Sequence, residues 1–343
     1  MPWKGERDPY KIWLSEIILQ QTRVEQGLDY YNRFIKRFPS IKMLAAAPDA
    51  EVFKMWEGLG YYTRCRNLIH TARVVSETLD GRFPDTYDEI KSLKGIGSYT
   101  SAAIASFAFN QPFAVVDGNV FRVLSRIFGI AQPIDSMAGR KFFSALAQQL
   151  LDEKKPARYN QAIMDFGATV CKPLLPLCSS CPFSTKCEAY LKGRVDKLPV
   201  KEKKIPIRKR WFYYLVIEYQ NTIAIRQRTK KDIWNQLFEF PMIEKNEESP
   251  ALHILKEAER CGWIKKGQYE ILHVSDMKRQ QLSHQSIHGQ FIRLSVRKKT
   301  AVDKEWLWTN QNRLRSLAFP GIVNQYLVTA CYTHKQTALT SGG

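Results

Sequence analysis

The stretch Leu93-Lys94-Gly95-Ile96-Gly97-Ser98-Tyr99-Thr100 is a short glycine-rich turn that opens into a helix-patterned segment over residues 102–109. Its two glycines permit tight backbone conformations, so that successive N–H groups at a helix N-terminus can face a phosphate oxygen. A glycine turn before any helix has the same composition, so its meaning depends on its neighbours. Upstream, Trp13, Ile17, Val24, Leu28, Tyr31, Ile35 and Phe38 recur at helical spacing, and similar patterns run through residues 50–56, 67–79, 99–109, 120–128 and 140–151. The breaks carry helix-stopping punctuation: Phe38-Pro39-Ser40, Ala47-Pro48-Asp49, Phe83-Pro84-Asp85 and Asp117-Gly118-Asn119. The first half is therefore predicted to be all-α.

Residues 195–210 are rich in lysine and proline, bury little, and read as a linker. Beyond them, residues 211–219, 222–227, 268–274 and 290–296 are rich in β-branched and aromatic side chains, with one helical pattern at 250–261. A chain of 343 residues with 44% hydrophobic content has enough apolar material for two cores. The expected organisation is a multidomain one: an all-α domain over 1–190, a linker over 191–210, an α+β domain over 211–332, and a small, polar, disordered tail over 333–343.

The 52 Lys and Arg outnumber 33 acidic residues, giving a formal charge of +19 spread along the whole length. A polyanionic partner accounts for such a balance, although a basic surface kept for solubility would produce the same number. Met1-Pro2-Trp3-Lys4-Gly5-Glu6-Arg7-Asp8 has no apolar core of a signal peptide, and no run approaches the roughly 18 apolar residues that a membrane span requires. The expectation is a cytoplasmic protein, monomeric, with no membrane partner.

Of seven cysteines, Cys171, Cys178, Cys181 and Cys187 form C-x6-C-x2-C-x5-C, while Cys65, Cys261 and Cys331 are scattered. Clustering of this kind argues for metal ligation over a disulfide framework. Zinc held by four thiolates and a [4Fe–4S] cluster both fit the spacing, although zinc more often uses paired C-x2-C knuckles and only one occurs here.

Two carboxylates stand out. Asp117 ends the run Phe113-Ala114-Val115-Val116 and precedes a helix, where it caps the N-terminus in its ionised form. Capping alone explains it, but a cap can also act as a catalytic anion. A carboxylate about 4 Å from a cationic sugar, at an effective dielectric of about 20, contributes roughly 4 kcal/mol, or about a thousandfold in rate. Glu16, in Trp13-Leu14-Ser15-Glu16-Ile17-Ile18, is bordered by apolar residues that would raise its pKa toward that of a general acid; pairing with Lys11 or Arg23 is the plainer alternative.

The order of glycine hairpin, aspartate and four cysteines resembles the endonuclease III superfamily of DNA glycosylases, whose hairpin motif L-x-G-(I/V)-G-x-x-T-A is matched with Ser101 in place of the first alanine. Pro2-Trp3, Asp8-Pro9-Tyr10-Lys11-Ile12-Trp13-Leu14-Ser15-Glu16 with Gln20-Gln21-Thr22-Arg23-Val24, and Gly58-Leu59-Gly60-Tyr61-Tyr62-Thr63-Arg64 resemble its MutY-type adenine glycosylases. The resemblance implies a helix-hairpin-helix over 93–109, one [4Fe–4S] cluster held by Cys171, Cys178, Cys181 and Cys187 in the loop 171–187, and Lys172 and Lys186 near DNA phosphates. It implies that Glu16 protonates adenine, that Asp117 stabilises or captures the sugar cation, and that Tyr99 and Asn119 position them. Trp3, Lys4 and Gln161 match adenine-pocket positions, Gln21 and Tyr61 match residues that wedge into the duplex as the base is flipped out, and Gly95 and Gly97 match the phosphate-facing turn. Tyr62 reads equally well as core packing.

In the second domain, Gln281-Leu282-Ser283-His284 resembles the family's Phe-Ser-His loop that recognises 8-oxoguanine, with Leu282 departing from phenylalanine and Ser283 and His284 keeping the polar groups. That domain resembles a Nudix module whose segment 255–262 lacks the full metal box, which implies binding and not hydrolysis. The implied partner is double-stranded DNA carrying A:8-oxoguanine or A:G mispairs, which would make the protein nucleoid-associated. The chain starts almost at Pro2-Trp3, where the family has a preceding helix, so the lobe bearing the cysteines is expected to be less covered. Endonuclease III itself lacks the glutamate and carries a catalytic lysine where Tyr99 stands, so lyase activity is expected to be weak or absent. Two alternatives remain open here: a bifunctional pyrimidine-damage glycosylase/lyase, and a non-catalytic DNA-binding protein.

Overall fold

Asp8 and Pro9 start the first helix: Pro9 supplies a preset φ, and the Asp8 carboxylate accepts from the Tyr10 amide at 2.9 Å. In the computed structural model, which describes residues 4–22, 24–202, 206–299 and 306–339, the helices of the first half are α1 Pro9–Leu19, α2 Val24–Arg37, α3 Ile41–Ala46, α4 Asp49–Trp56, α5 Tyr62–Thr78, α6 Tyr87–Ser92, α7 Ser98–Phe109, α8 Gly118–Ile127, α9 Met137–Leu150, α10 Pro156–Thr169 and α11 Glu188–Leu191. The helical periodicity over 13–38 is broken between α1 and α2, where Gln21 takes a left-handed φ of 56°.

The chain divides into two compact units, the first made of the described residues of Met1–Ala47 and Thr63–Lys204. There α1 packs on α2 and α7, α6 on α7, and α10 on both α7 and α8. Trp13, Leu14, Ile17 and Ile18 bury α1 on nearly every side, which is why its apolar pattern is almost continuous. The hairpin is α6, the turn 93–97 and α7. Gly95 sits at φ +83°, and a Cβ there would lie 2.6 Å from Asn67 Cβ, so this position requires glycine. Gly97 has an extended backbone and open space around it. Thr71 Oγ1 donates to the Lys94 carbonyl at 2.8 Å and ties the turn to α5, while Ser101 Oγ donates back to the Gly97 carbonyl at 2.9 Å.

The second unit contains Pro48–Tyr62 and the described part of Ile205–Gly343. The expected 1–190 block therefore gives up one segment, which bonds elsewhere: Lys54 Nζ donates to the Leu317 carbonyl at 3.0 Å and Glu57 Oε1 accepts from the Phe319 amide at 2.9 Å. The strands are β1 Arg208–Tyr219, β2 Thr222–Gln227, β3 Phe238–Glu239, β4 Met242–Lys245, β5 Tyr269–Val274, β6 Lys278–Gln281, β7 Gln285–Val296 and β8 Trp306–Asn310; the helices are α12 Ala251–Arg260, α13 Gln311–Ser316 and α14 Gly321–Leu339. They form a mixed sheet of order β3-β2-β1-β7-β5, with β4 on β1, β6 on β7 and β8 on β2. β1 and β7 run parallel from Arg208 opposite Gln285 to Glu218 opposite Ser295. Alternate β1 residues Tyr213, Leu215 and Ile217 pack with Ile254 and Leu255 of α12. On the other face Tyr214 stacks on Phe291, and Phe291 stacks on Tyr326 of α14 at 4.2 Å. A strand buried on both faces reads as a continuous apolar run.

Two linker and tail expectations differ from the structure. The linker's first part is bound: Leu198 is buried, its carbonyl accepts from Arg126 Nε at 3.0 Å, and the Val200 carbonyl accepts from the Ile134 amide at 3.0 Å. α14 runs to Leu339, into the segment expected to be a disordered tail, because a helix nucleated by packed residues such as Val323 and Tyr326 propagates at one hydrogen bond per residue.

Candidate active site

Glu16 lies in the middle of α1, itself buried and ringed by buried Ile12, Trp13, Leu14, Ile17 and Ile18. Burial pushes its pKa up to about 7; the Tyr99 hydroxyl bonded to it pulls downward, and the charge of Asp117 adds to the rise. Asp117 caps α8, its Oδ1 accepting from the Val120 amide at 2.8 Å and its Oδ2 from Asn119 Nδ2 at 2.7 Å. Burial raises Asp117 as well, outweighing these donors and the nearby Arg122 guanidinium. The cap is as the sequence suggested, but the net direction is upward, because desolvation exceeds what a cap supplies. Burial raises both carboxyls, but Asp117 accepts from Val120 and Asn119 and lies near the Arg122 guanidinium, all of which favour its ionised form, whereas the Tyr99 hydroxyl is the one group that pulls Glu16 downward.

One cavity of about 960 Å3 is lined by Glu16, Tyr99, Asp117 and Asn119, and also by Lys4, Gln21 and Gln161. Seven residues singled out in the sequence thus face one space. Lys4 Nζ reaches both oxygens of Asp165, at 2.8 and 2.7 Å, and Gln161 Nε2 donates to Asp165 Oδ1 at 3.0 Å. Glu6, and not Glu16, pairs with Lys11. Trp3 lies outside the described residues, as does Arg23.

The floor of the cavity is tied to the cysteine loop by α8. Asn119 Oδ1 accepts from Arg122 Nη2 at 2.8 Å, and Arg122 also donates to the carbonyls of Gly167 and Cys171, both at 2.7 Å. One turn on, Arg126 donates to the Lys172 carbonyl at 2.7 Å and the Pro173 carbonyl at 3.1 Å, and lies 3.6 Å from Cys171 Sγ. α10 approaches so closely that a Cβ on Gly167 would meet Asn119 Cβ at 2.7 Å. Asn160, fully buried, donates to Ser106 Oγ and the Phe113 carbonyl and accepts from the Val115 amide at 3.0 Å, fixing the run that ends at Asp117.

Cys171, Cys178, Cys181 and Cys187 are unpaired in disulfides and line one small cavity with Arg126, Phe166 and Phe183. Burial, then the adjacent Cys171 and Cys187, raise the Cys178 thiol. Among the described residues no three His, Cys, Asp or Glu side chains converge as a single ion would demand. A tetrahedral zinc would draw its sulfurs to about 2.3 Å from one point, whereas a cluster places four irons and four sulfides between them. Four thiols lining one cavity beside a guanidinium are a donor set whose chemistry either group can use.

In the second unit, Leu282, Ser283 and His284 form the turn between β6 and β7, closed by the Leu282 amide bonding to the Gln285 carbonyl at 2.8 Å; Ser283 and His284 are exposed and Leu282 is half-buried. Tyr61, exposed and at a left-handed φ of 48°, hydrogen-bonds through its hydroxyl to Ser283 Oγ. Tyr62 is buried and stacks on Phe53 at 6.3 Å, the core role left open for it. Buried Arg210 forks onto Asp232 and Glu244 and donates to Gln285 Oε1 at 3.0 Å, anchoring the base of the turn.

Sequence reasoning missed α10 and the residues Arg122, Arg126, Asn160 and Asp165. The buried face of α10 presents Pro156, Asn160 and Gly167, which makes no apolar stripe. The i,i+4 pair Gln161/Asp165 was the available signal.

Residues 14–152 match the HhH-GPD superfamily base excision DNA repair protein family, and residues 212–329 match the NUDIX domain. The chain is 33% identical over 338 residues to the adenine DNA glycosylase of Buchnera aphidicola subsp. Baizongia pistaciae (strain Bp), covering 95% of this chain and 91% of that protein. It is 44% identical over 212 residues to the adenine DNA glycosylase of Mus musculus, covering 58% of this chain and 41% of that one. A solved thermostable thymine-DNA glycosylase is similar with a TM-score of 0.52 at 33% identity, over 56% of this chain and 88% of that one.

Proposed function

This chain belongs to the adenine DNA glycosylases, enzymes of base excision repair, and on that premise we propose that it hydrolyses the N-glycosidic bond of adenine mispaired with 8-oxoguanine or guanine, with Glu16 as general acid and Asp117 as the anion beneath the sugar. The observation that carries this reading is that Glu16 and Asp117 open onto one cavity, Glu16 from an apolar helix and Asp117 from a helix cap supplied with donors. Adenine leaves poorly as an anion, so a proton from Glu16 to a ring nitrogen makes it a neutral leaving group. Positive charge then grows on the deoxyribose, and Asp117, held by Val120 and Asn119, stabilises it or captures it before water attacks. The base must be flipped out of the duplex, with Gln21 and Tyr61 filling the space it leaves.

Ser283 and His284, on the turn that also meets Tyr61, are the groups offered to 8-oxoguanine. Glu257 and Glu259 of α12 are engaged by Lys245 and Tyr269, which supports a binding role for this domain over metal-dependent hydrolysis. The family typically binds a [4Fe–4S] cluster, and Cys171, Cys178, Cys181 and Cys187 would hold one here. When bound, it supplies four covalent ties that fold the loop against α8. Among the described residues no helix is long and apolar enough to cross a membrane, and we place the enzyme in the cytoplasm, monomeric, on chromosomal DNA.

Single-turnover release of adenine from a duplex with A:8-oxoguanine, compared with A:G and A:T, tests the reading. Product is expected from the two mispairs alone. Glu16→Gln is expected to abolish release and keep duplex binding, and borohydride is expected to trap no covalent DNA adduct, since Tyr99 offers no amine. Release undiminished in Glu16→Gln overturns the mechanism.

A further inference from the structure

We infer that Asp165 is a specificity-determining positioning residue, one that makes the mouth of the cavity accept from a 6-amino group and reject a 6-oxo group; the inference rests on adenine being the excised base. Gln161 and Asp165 lie one turn apart on α10, and Lys4, Gln161 and Asp165 all line the cavity that holds Glu16. An ionised carboxylate only accepts hydrogen bonds, whereas a glutamine amide has one donating and one accepting end that a simple flip exchanges. Asp165 Oδ1 takes Gln161 Nε2 at 3.0 Å, so the amide nitrogen is turned toward Asp165 and Oε1 is the end turned away from it. The same carboxylate takes Lys4 Nζ on both oxygens, at 2.8 and 2.7 Å, which occupies the other strong donor at this wall. Asp165 thereby draws two donor groups toward itself and sets the orientation of the amide, with its acceptor turned the other way.

Adenine and hypoxanthine differ at this edge in the required sense. Adenine carries the donating 6-amino group, and hypoxanthine carries an accepting oxygen that would face Gln161 Oε1 with no proton between them. Without Asp165 the amide flips freely and Lys4 is released, and both changes favour the 6-oxopurine. Asp165 and Lys4 side chains are each 42% exposed, so the substitution leaves no buried cavity and the fold stands.

The experiment compares single-turnover release of adenine and of hypoxanthine from otherwise identical duplexes opposite 8-oxoguanine, for the full chain, Asp165→Ala, and the double variant Asp165→Ala with Gln161→Glu. In Asp165→Ala the adenine-to-hypoxanthine rate ratio is expected to fall at least about tenfold. The double variant puts a carboxylate, acceptor at both oxygens and a partner for Lys4, at position 161, and is expected to restore the ratio to within about threefold. A merely structural role for Asp165 would slow both substrates equally and would not be rescued by moving the carboxylate. An unchanged ratio in Asp165→Ala, or a ratio that stays low in the double variant, overturns the inference. Failure of the unsubstituted chain to release adenine at all would instead overturn the proposed function, so the two failures are distinct.

Discussion

Glu16 is the side chain at which stability and the proposed chemistry share one proton. Its folded pKa of about 7 lies above the ordinary 4.5, so the folded chain binds this proton more tightly than the unfolded one. Stability from this group is therefore full below about pH 4.5 and is lost as pH rises through about 7, by about 3 kcal/mol in all. Glu16→Gln, which cannot ionise, is expected to melt higher than the unsubstituted chain at pH 8 and to show no such gain at pH 4.5, by thermal denaturation at both pH values. Equal gains at both would mean that burial of charge is not the cause. In the proposed mechanism the same proton is delivered to the base, so single-turnover release is expected to fall about tenfold per pH unit above about 7. Both carboxylates could be named from the sequence, because apolar flanks and an N-cap position are local features. Asp165 and Asn160 could not, because what they do is defined by Lys4 and Val115, far away in the chain. Nor could the left-handed backbone of Gln21 and Tyr61, since neither is glycine or asparagine; strain of this kind is held by surrounding structure and gathers at functional positions.

At the scale of elements, the hairpin separates two uses of glycine. Gly95 answers a demand of the fold, through its positive φ and the proximity of Asn67, whereas Gly97 has an extended backbone with nothing near a prospective Cβ. Gly95→Ala is expected to cost about 1–3 kcal/mol in urea unfolding. Gly97→Ala is expected to stay within about 0.5 kcal/mol while weakening duplex binding, because the open face is where a phosphate would come close. Equal loss of stability in both would show that Gly97 is structural too. α8 joins the cavity to the cysteine loop in a comparable way. Arg122→Met would strand the acceptors Asn119 Oδ1, Gly167 O and Cys171 O, and is expected to cost roughly 3 kcal/mol and to slow base release, measured together by unfolding and single-turnover kinetics. A variant as stable and as fast as the unsubstituted chain would refute that. Helices with apolar stripes, such as α5 and α9, were legible in the sequence to within about five residues, as was the strand β1, while only the second half of β7 was. α10 was not, because its inward face is polar and small, and the short strands β3, β4 and β6 were not, because two to four residues carry no period.

For the molecule as a whole, affinity and specificity are expected to come from different residues. A formal charge of +19 is spread along the chain, and each phosphate it neutralises releases counterions whatever the base sequence. Ser283 and His284 add no carboxylate or ammonium to that field, and they sit on an exposed turn whose base is held by Arg210. Phosphate contacts position a protein on DNA, and contacts to base edges specify the site. With the Glu16→Gln chain, expected to be catalytically silent, the logarithm of duplex affinity is therefore expected to fall with the logarithm of salt at a slope of about −4 to −8, the same for A:8-oxoguanine and A:G duplexes. Adding Ser283→Ala is expected to leave that slope unchanged and to narrow the affinity gap between the two duplexes by about tenfold, the loss of roughly one hydrogen bond to the base. A changed slope with an unchanged gap would assign the turn to the phosphate backbone, and the recognition of the oxidised base would then have to lie on other residues.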